Sequence, residues 1–340
     1  KNTNYILSFI DKYDTFIKQG DKLIDTIYKS TKKLNKFKEF NTNMISYKDK
    51  IKKMKEQMNL IVSQKEKSLK YGQIGLILKC NYEFFYNDTY HDTIMYLIYL
   101  NQFNNNICCL RTCIKDKKIN KCSFLKNEKV KPKIKNMYYL PHINNDTNIK
   151  NDILLKKNLI ITGPNASGKT TLLKSSLINL FLSQSIGYGC YDSCFTTVYD
   201  LFHSYLNIPD TSGRDSLFQA EARRCKDIIT IIEKNNKNKH FCIFDEIYSG
   251  TNPSDAVLCA SLYLKQMNKL KDHVDYMLTT HYVELSNSFD KDKKMINKRM
   301  QVQQLKNKIK YLYKIESGIS TINGGYQVLV DLNYPTKILE

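Results

Sequence analysis

The chain has 340 residues, and its 53 lysines and arginines against 33 aspartates and glutamates give a formal net charge of +20. Hydrophobic residues make up 42% of it and charged residues 25%, which is ordinary for a soluble globular protein of one or two domains. No apolar run is long enough to span a bilayer and no signal segment opens the chain, so the sequence predicts no membrane association. The chain begins with Lys1 rather than methionine, and we expect it to be part of a longer product.

The basic excess favours a polyanionic partner, because each phosphate that lysine or arginine neutralises releases counterions. We therefore expect DNA, in double-stranded form, as a partner. A compositional bias is the alternative, since lysine, asparagine, isoleucine and tyrosine are all abundant, as AT-rich coding sequence would give.

The ten cysteines include no CxxC pair. Cys108, Cys109 and Cys113 cluster, and Cys190 and Cys194 lie four positions apart, but neither group has the spacing of a zinc site. The pattern predicts free, reduced thiols in an intracellular protein. It leaves a nucleus, an organelle and a viral compartment open.

Apolar residues near the start of the chain repeat at alternating steps of three and four. The first series is Ile6, Ile10, Tyr13, Ile17, Ile24, Ile27 and Leu34, with Gly20 and Thr31 at the two intervening positions, and the second is Ile51, Met54, Met58 and Ile61. Such a seam must pack on another helix, so it predicts an antiparallel helical pair with a turn at Asn41–Thr42–Asn43. Residues 81–113 are typical of a buried helix. We assign residues 1–125 to a helical, lever-like region.

The basic stretch Lys126–Lys135, interrupted by Pro132, indicates a linker or an edge strand, and we assign residues 126–150 to that role. From residue 151 onward, short apolar strands alternate with helices, which predicts an α/β domain over 151–340. The lysine-rich tract Lys291–Lys310 favours a β-hairpin at the sheet edge. A nuclear signal or a DNA-binding patch is the alternative for this tract.

An apolar strand, residues 159–162, leads into a segment with GxxxxGK[ST] spacing and then into a helix. The two glycines let backbone N–H groups converge on a phosphate, and the start of the helix adds its positive end. Lys169 supplies a charge to the β- and γ-phosphates, and Thr170 offers a hydroxyl to Mg²⁺. We predict a site for ATP and Mg²⁺ formed by Gly163, Pro164, Asn165, Ala166, Ser167, Gly168, Lys169, Thr170 and Thr171.

A second apolar run, residues 240–244, ends in Asp245 and Glu246. An aspartate at a strand end reaches the Mg²⁺ shell, and the adjacent glutamate orients or deprotonates the attacking water. A third strand end carries His281, which we predict to sense the γ-phosphate; a structural histidine is the alternative. The predicted catalytic residues are Glu246, Lys169 and His281, and the predicted metal ligands are Thr170 and Asp245.

Five motifs, in this order along the chain, resemble the ATPase of the MutS family of DNA mismatch-repair proteins. GPNASGKTT is similar to the family's phosphate loop, and SGRDSLFQAE, at 212–221, resembles its SGxSTFMxE motif. DEIYSGTNPSDA is similar to DEIGRGTSxxDG, and TTHYVEL to ATHYxEL. Tyr313–Gly318 and Gly325–Pro335 resemble the last family segment. This lysine- and asparagine-rich version is similar to the MutS-like proteins of large DNA viruses or organelles.

The resemblance implies a P-loop NTPase fold of the MutS and ABC type after an all-α region. It also implies a dimer, either a homodimer or a MutS-type heterodimer, with two composite nucleotide sites. Asn165 and the rest of the phosphate loop would hold the triphosphate and the metal. Asp245 would bind Mg²⁺, and Glu246 would act as the base. Ser216 would reach the nucleotide of the opposite subunit. Tyr313 falls where the family often has a residue that stacks on adenine, with a core tyrosine as the alternative.

Several departures limit what the resemblance implies. The family's mismatch reader, a GxFxE segment, is missing, and Phe37–Glu39 fits FxE only within a helical run that has no preceding glycine. The helices before the ATPase are too short for full lever and clamp domains, and the family's C-terminal helix-turn-helix is absent. Ser249 stands where the family has arginine. We therefore expect ATP chemistry to transfer from the family and mismatch recognition not to transfer.

The leading hypothesis is a MutS-like, DNA-binding ATPase that hydrolyses ATP with Mg²⁺ to drive conformational change on DNA, in mismatch repair or related DNA maintenance. The alternative is a non-catalytic DNA-binding or packaging protein that retains the fold, and the intact Lys169, Thr170, Asp245 and Glu246 argue against it. An SMC- or ABC-type ATPase would need an LSGGQ-like motif before the acidic pair, where this chain has SGRDSLFQAE.

Overall fold

The computed structural model describes residues 2–71, 82, 86–125, 132–145, 147–206, 216–270, 273–305 and 308–322. The chain divides into two compact units, residues 1–112 and 113–340. In these described ranges the first unit is built from helices, and the second combines helices with two sheets. This confirms the predicted fold class, an α/β domain that follows an all-α region.

Two long helices, α1 (Asn2–Thr31) and α2 (Lys38–Tyr71), form the first unit together with the greater part of α3 (Asp88–Lys115). Ion pairs join Asp21 to Lys55 and Asp25 to Lys48, so α2 runs back along α1, as the prediction of an antiparallel pair requires. The seam between them is buried in one cluster that contains Ile10, Ile17, Ile24, Met44, Ile51, Met54 and Met58.

The turn between α1 and α2 was predicted at the wrong place. The chain turns at residues 32–37, which include a short 3-10 segment, and Asn41–Asn43 lie inside α2. The side chain of Asn41 fits there because its amide donates to the carbonyl oxygen of Thr31 (3.1 Å) and accepts from the Thr31 hydroxyl (2.6 Å). An asparagine that typically favours a turn therefore joins the two helix ends instead.

The seam of α1 does not extend as far as predicted. Leu34 was predicted to continue it, but this residue precedes the 3-10 segment and is 50% exposed. The side chains of Ile6 and Ile61, at the outer ends, lie outside the described residues.

Helix α3 is less buried than predicted. Residues 81 and 83–85 of the predicted helix lie outside the described part of the chain, and Tyr99 is 60% exposed. Its buried positions are Thr93, Leu97 and Leu100. Leu97 packs so closely on α1 that a Cβ on Gly20 would lie 2.6 Å from Leu97 Cδ1, which explains the glycine within the seam.

The described part of the second unit contains eleven strands and four further helices. The strands are β1 (Asn120–Phe124), β2 (Lys133–Met137), β3 (Asn151–Leu154), β4 (Asn158–Thr162), β5 (Tyr188–Gly189), β6 (Ser193–Thr196), β7 (Leu201–Tyr205), β8 (His240–Asp245), β9 (Val274–Thr280), β10 (Met295–Leu305) and β11 (Lys308–Ser317). The helices are α4 (Lys169–Ile186), α5 (Leu217–Lys234), α6 (Pro253–Lys269) and α7 (Val283–Ser288). Among the described residues, no helix combines the length and the apolar character that a bilayer crossing requires.

Six strands form the larger sheet, in the order β11-β10-β4-β9-β8-β7, and all neighbours are parallel except the β10–β11 pair. Strand β4 is buried on both faces: Ile160 packs in one core cluster, and Leu159 and Ile161 pack in another. Its sequence is therefore a continuous apolar run rather than an alternating one. The antiparallel β10–β11 pair at the sheet edge confirms the hairpin predicted for Lys291–Lys310, of which residues 306 and 307 lie outside the described ranges.

The smaller sheet has five strands in the order β3-β2-β6-β1-β5. Strand β2 pairs with β3 on one side and β6 on the other, so the prediction of a linker or edge strand is wrong for residues 133–135. The alternation along β2 explains the error: Ile134 and Met137 are buried, whereas Lys133 and Lys135 point outward from a strand inside the sheet. Residues 126–131 of the predicted linker lie outside the described part of the chain.

Candidate active site

The carboxyl ends of three neighbouring strands bring the predicted site residues together. Strand β4 runs into the loop 163–168, β8 ends at Asp245, and β9 ends at Thr280. Because the strands are parallel and in register, Thr162 lies opposite Thr280 and Asp245 lies opposite Thr279. The loop and the acidic pair therefore share one edge of the sheet, which is the usual ligand position in open α/β sheets.

The loop between β4 and α4 has the backbone shape of an anion cradle. Gly168 has a φ of 93° and Ala166 a φ of 62°, both in the left-handed region, and α4 begins at the next residue after Gly168. A Cβ on Gly163 would lie 2.8 Å from Ser167 Oγ and 3.0 Å from Met300 Cβ, so crowding requires the first glycine. The first N–H groups of α4 have no acceptor within the helix, and with the loop amides they form an arrangement that binds phosphate.

Lys169 connects the phosphate loop to the acidic pair. Its side chain is almost fully buried, and Nζ donates hydrogen bonds to the carbonyl oxygens of Gly163 (2.9 Å) and Pro164 (3.2 Å). The same nitrogen lies 3.2 Å from Oε1 of Glu246. These partners offset the cost of burying a charge, which would be large for an unpaired ammonium group.

Hydroxyl groups contact both carboxylate oxygens of Asp245. Thr170 Oγ1 donates to Oδ2 at 2.7 Å, and Thr279 Oγ1 donates to Oδ1. A threonine hydroxyl beside a carboxylate is a set of hard oxygen donors. Such a set fits Mg²⁺, which takes one or two protein ligands and keeps several waters. The chemistry of Thr170 and Asp245 therefore fits the predicted metal.

Glu246 lies between two basic side chains. Lys169 Nζ is 3.2 Å from one carboxylate oxygen, and His281 Nδ1 is 3.6 Å from the other. The His281 contact first, and then Lys169, lower the pKa of Glu246 to about 2 against the opposing effect of burial. The carboxylate is therefore ionised at neutral pH. With so low a pKa it is better suited to orient a water molecule than to remove a proton from it.

A cavity of about 690 Å³ opens beside these groups. It is lined by the phosphate loop, by the acidic pair and by eight residues between positions 137 and 149, which include Tyr139 and His142. The volume lies within the range of roughly 300–1,000 Å³ that small-molecule sites occupy. The cavity is therefore large enough for a nucleotide.

Tyr313 of β11 lines the same cavity. Its ring lies over the phosphate loop, where a Cβ on Gly168 would be 3.1 Å from Tyr313 Cδ1. Asn151 holds the strand in place, because its side chain donates to the carbonyl oxygen of Tyr313 (2.9 Å) and accepts from the N–H of Ile315 (2.8 Å). The ring is 42% exposed, which argues against the alternative of a core tyrosine.

Most of the predicted site residues line the cavity. They are Asn165, Ala166, Gly168, Lys169, Thr170, Thr171, Asp245, Glu246 and Tyr313. Gly163, Pro164 and Ser167 are buried within the loop itself. His281 is 44% exposed and reaches the site through its contact with Glu246.

Ser216 does not line the cavity. It is the N-terminal cap of α5, where its hydroxyl accepts from the Gln219 N–H (3.3 Å) and the Gln219 side chain accepts from the Ser216 N–H (3.0 Å). Residues 212–215 of the same motif lie outside the described residues. The role of Ser216 at an opposite subunit stays a prediction.

Three residues of this region were not singled out from the sequence. Thr279 binds Asp245, and its place two residues before His281 at a strand end was the available signal. Asn151 has no local signal, because its partners lie 162 and 164 positions away. Glu221 was quoted only as the last residue of the SGRDSLFQAE motif, and no pattern in the sequence predicts that it is buried and accepts hydrogen bonds from Ser249 and Gly250.

A strand, a glycine-rich loop and a helix that begins at a lysine, with an acidic strand end beside them, define the P-loop class of α/β proteins. The family model of MutS domain V matches residues 159–340, more than half of the chain, and includes the loop, the acidic pair, His281 and Tyr313. The chain belongs to the MutS family.

The chain is similar to the DNA mismatch repair protein MutS of Acholeplasma laidlawii, with 27% identity over 195 residues, and to that of Bacteroides fragilis, with 28% identity over 200 residues. Each alignment covers 56% of this chain, but 23% and 22% of the two relatives. The chain is also similar to Endonuclease MutS2 of Staphylococcus haemolyticus, with 31% identity over 151 residues, 43% of this chain and 19% of the relative. It thus spans less than a quarter of the length of these curated relatives.

Proposed function

We propose that this protein is a DNA-binding ATPase of the MutS type, which hydrolyses ATP with Mg²⁺ to drive conformational change on DNA in mismatch repair or related DNA maintenance. One observation carries the proposal. Lys169, Thr170, Asp245 and Glu246 come from two motifs about 75 positions apart, and they converge on one cavity.

The phosphate loop and Lys169 hold the triphosphate of ATP in this proposal. The loop amides and the start of α4 bind the phosphate oxygens, and Lys169 exchanges its carbonyl acceptors, Gly163 and Pro164, for phosphate. Thr170 and Asp245 hold Mg²⁺. When bound, the metal neutralises charge that develops on the phosphate oxygens.

Glu246 orients the attacking water, and His281 keeps Glu246 in place. In the described structure both Lys169 and His281 lower the pKa of this carboxylate. When Lys169 turns to the phosphates, Glu246 loses the contact with this ammonium group and its pKa rises. The carboxylate then becomes a better proton acceptor at the stage when the water is activated.

The far end of the cavity takes the adenine. Tyr313 offers a partly exposed side chain beside the phosphate loop, on which the base can stack. Stacking on an aromatic face suits any purine, so this contact adds affinity rather than base specificity. Asn165 and the rest of the loop remain on the triphosphate side.

DNA and a second subunit complete the proposal. The net charge of +20 suits a polyanion, and two of the relatives bear the name DNA mismatch repair protein. Ser216 lies at the start of α5 and outside the cavity, so it is available to the nucleotide of another subunit in a homodimer or MutS-type heterodimer. Mismatch reading is not part of the proposal.

The test is ATP turnover with and without double-stranded DNA in wild type, Glu246→Ala and Glu233→Ala. Glu233 is an exposed carboxylate on α5 and serves as the matched control. Loss of the water-orienting group should lower kcat about 100-fold in Glu246→Ala, while Glu233→Ala matches wild type. Equal, background rates in wild type and Glu246→Ala would contradict the proposal. Salt-sensitive DNA binding without any response to ATP would then support the non-catalytic DNA-binding alternative.

A further inference from the structure

The loop that follows the catalytic strand end has an unusual backbone. Glu246 has a φ of 52° and Tyr248 a φ of 59°, so two residues other than glycine adopt the left-handed region within three positions. Side chains with a Cβ rarely adopt this region, and they remain there only when surrounding contacts hold them. The carboxylate of Glu246 is aimed by this strained turn, and the contacts that hold the turn therefore bear on catalysis.

One buried carboxylate supplies many of those contacts. Glu221, in the second turn of α5, is 3% exposed. Its Oε1 accepts from the N–H of Ser249 (3.2 Å) and from the Ser249 hydroxyl (3.0 Å), and its Oε2 accepts from the N–H of Gly250 (3.0 Å). Both carboxylate oxygens of Glu221 thus accept hydrogen bonds from Ser249 and Gly250, the two residues that follow Tyr248. The Ser249 hydroxyl, at the position where the family has arginine, is one of the three donors.

The same loop lies directly against the start of α5. A Cβ on Gly250 would be 2.8 Å from Leu217 Cγ and 2.9 Å from the backbone nitrogen of Phe218. No side chain other than hydrogen fits this contact. The first turn of α5, which Ser216 caps, therefore cannot move towards the loop without displacing it. One turn further along, the hydrogen bonds of Glu221 resist separation of the helix from the loop.

We propose that Glu221 is a positioning residue for Glu246. It holds the turn 246–250 in the geometry that points the Glu246 carboxylate at the cavity, and it makes that geometry depend on the position of α5. If the Ser216 end of α5 moved, the contacts of Gly250 and Glu221 would move the turn and so change the position of the Glu246 carboxylate. The consequence for ATP turnover rests on the proposed function, but the effect on the loop is measurable without nucleotide.

The test compares Glu221→Gln, Ser249→Ala and a matched control, Asp275→Asn. Glutamine has one carbonyl oxygen and one amino group, so at least one of the three donors meets another donor. Ser249→Ala removes the side-chain donor and keeps both backbone donors, and it covers the case in which Glu221→Gln does not fold. Asp275 is an equally buried carboxylate, 3% exposed, that accepts from Tyr199 and lies near the opposite end of β9.

Two measurements distinguish a positioning role of Glu221 from a general contribution to stability. In the absence of nucleotide, the amides of 247–252 should exchange with deuterium about ten times faster in Glu221→Gln than in wild type, and at the wild-type rate in Asp275→Asn. In turnover, Glu221→Gln should lower kcat about tenfold and Ser249→Ala about two- to threefold, with ATP dissociation constants within about twofold of wild type. Asp275→Asn should lower the Tm without lowering kcat.

Unchanged amide exchange in folded Glu221→Gln, or in Ser249→Ala if the first variant does not fold, would overturn the inference. So would losses of kcat that merely follow the loss of Tm across all three variants. If wild type itself shows no ATP turnover, the proposed function fails, and the exchange of 247–252 alone decides whether Glu221 positions the loop.

Discussion

The hydroxyl of Thr170 donates a 2.7 Å hydrogen bond to Oδ2 of Asp245, a residue 75 positions further along the chain. This bond joins the helix after the phosphate loop to the acidic end of β8. It also places together the two side chains that we propose as Mg²⁺ ligands. Removing the hydroxyl of Thr170 should therefore change the Mg²⁺ concentration that ATP turnover needs, with little effect on the fold.

Thr170→Ala should lower ATP turnover at least about tenfold and raise the Mg²⁺ concentration needed for half-maximal rate, because a hydroxyl ligand is lost. Thr170→Ser keeps the hydroxyl and should retain most of the rate. Titration of Mg²⁺ at saturating ATP measures both effects. Thr230→Ala, which removes a hydroxyl that bonds only within α5, is the control. An unchanged Mg²⁺ titration in Thr170→Ala would show that this hydroxyl is not a ligand.

The lowered pKa of Glu246 predicts a pH-dependent contribution to stability. A carboxylate whose folded pKa is about 2, below its ordinary value of 4.5, stabilises the fold fully above pH 4.5 and loses that contribution as the pH falls towards 2. Allowing for solvent screening, Glu246→Gln should cost about 1–2 kcal/mol at pH 7 and less at pH 3.5.

Urea unfolding of wild type and Glu246→Gln at the two pH values measures this difference. His281→Ala should shrink it, because the His281 contact is the largest cause of the lowered pKa. A difference that is the same at both pH values would mean that the charge of Glu246 contributes nothing to the free energy of unfolding.

The two glycines that flank α4 allow backbone strain to be separated from a contact in the site. Gly168 and Gly187 both have positive φ, 93° and 77°, but a Cβ on Gly168 would lie 3.1 Å from Tyr313 and one on Gly187 would meet nothing within 4 Å. Alanine should cost about 1 kcal/mol of strain at either position. Only Gly168→Ala should also weaken nucleotide binding, measured with a fluorescent ATP analogue. Equal nucleotide affinity in the two variants would speak against Tyr313 as a wall of the site.

Gly20 should respond to alanine with opposite signs in two backgrounds. In wild type, overpacking against Leu97 costs about 1–3 kcal/mol and outweighs the gain of about 1 kcal/mol in helix propensity, so Gly20→Ala should destabilise the helical unit. In a Leu97→Ala background the space is available, and Gly20→Ala should stabilise it by about 1 kcal/mol. Urea unfolding followed by circular dichroism measures both. The same sign in both backgrounds would contradict the packing argument.

The sequence predicted those parts of the site that depend on local spacing. The phosphate loop requires glycines, a lysine and a helix start within a few residues, and Asp245 and Glu246 directly follow the apolar run Phe241–Phe244. The buried seam of α1 and α2 was predictable for the same reason. In each case one local pattern determines which side chains share a face.

The features of the fold and of the site that were not predicted depend on how distant segments of the chain pair. Nothing local to Lys133 shows that β2 has neighbours on both sides, since outward lysines look the same on an edge strand and on an inner one. Thr279 reaches Asp245 only through the register of β8 and β9. Asn41 lies in a helix because a contact with Thr31 outweighs its turn propensity.

Asn151 has a consequence for how the nucleotide cleft behaves. It belongs to β3 of the smaller sheet, and its amide group binds β11 of the larger sheet at the carbonyl oxygen of Tyr313 and the N–H of Ile315, on both sides of Lys314. This planar amide group therefore fixes the position of β11, and with it Tyr313, relative to β3. A movement of β11 away from β3 would break both hydrogen bonds at once, so the smaller sheet holds in place the part of the cavity wall that Tyr313 forms.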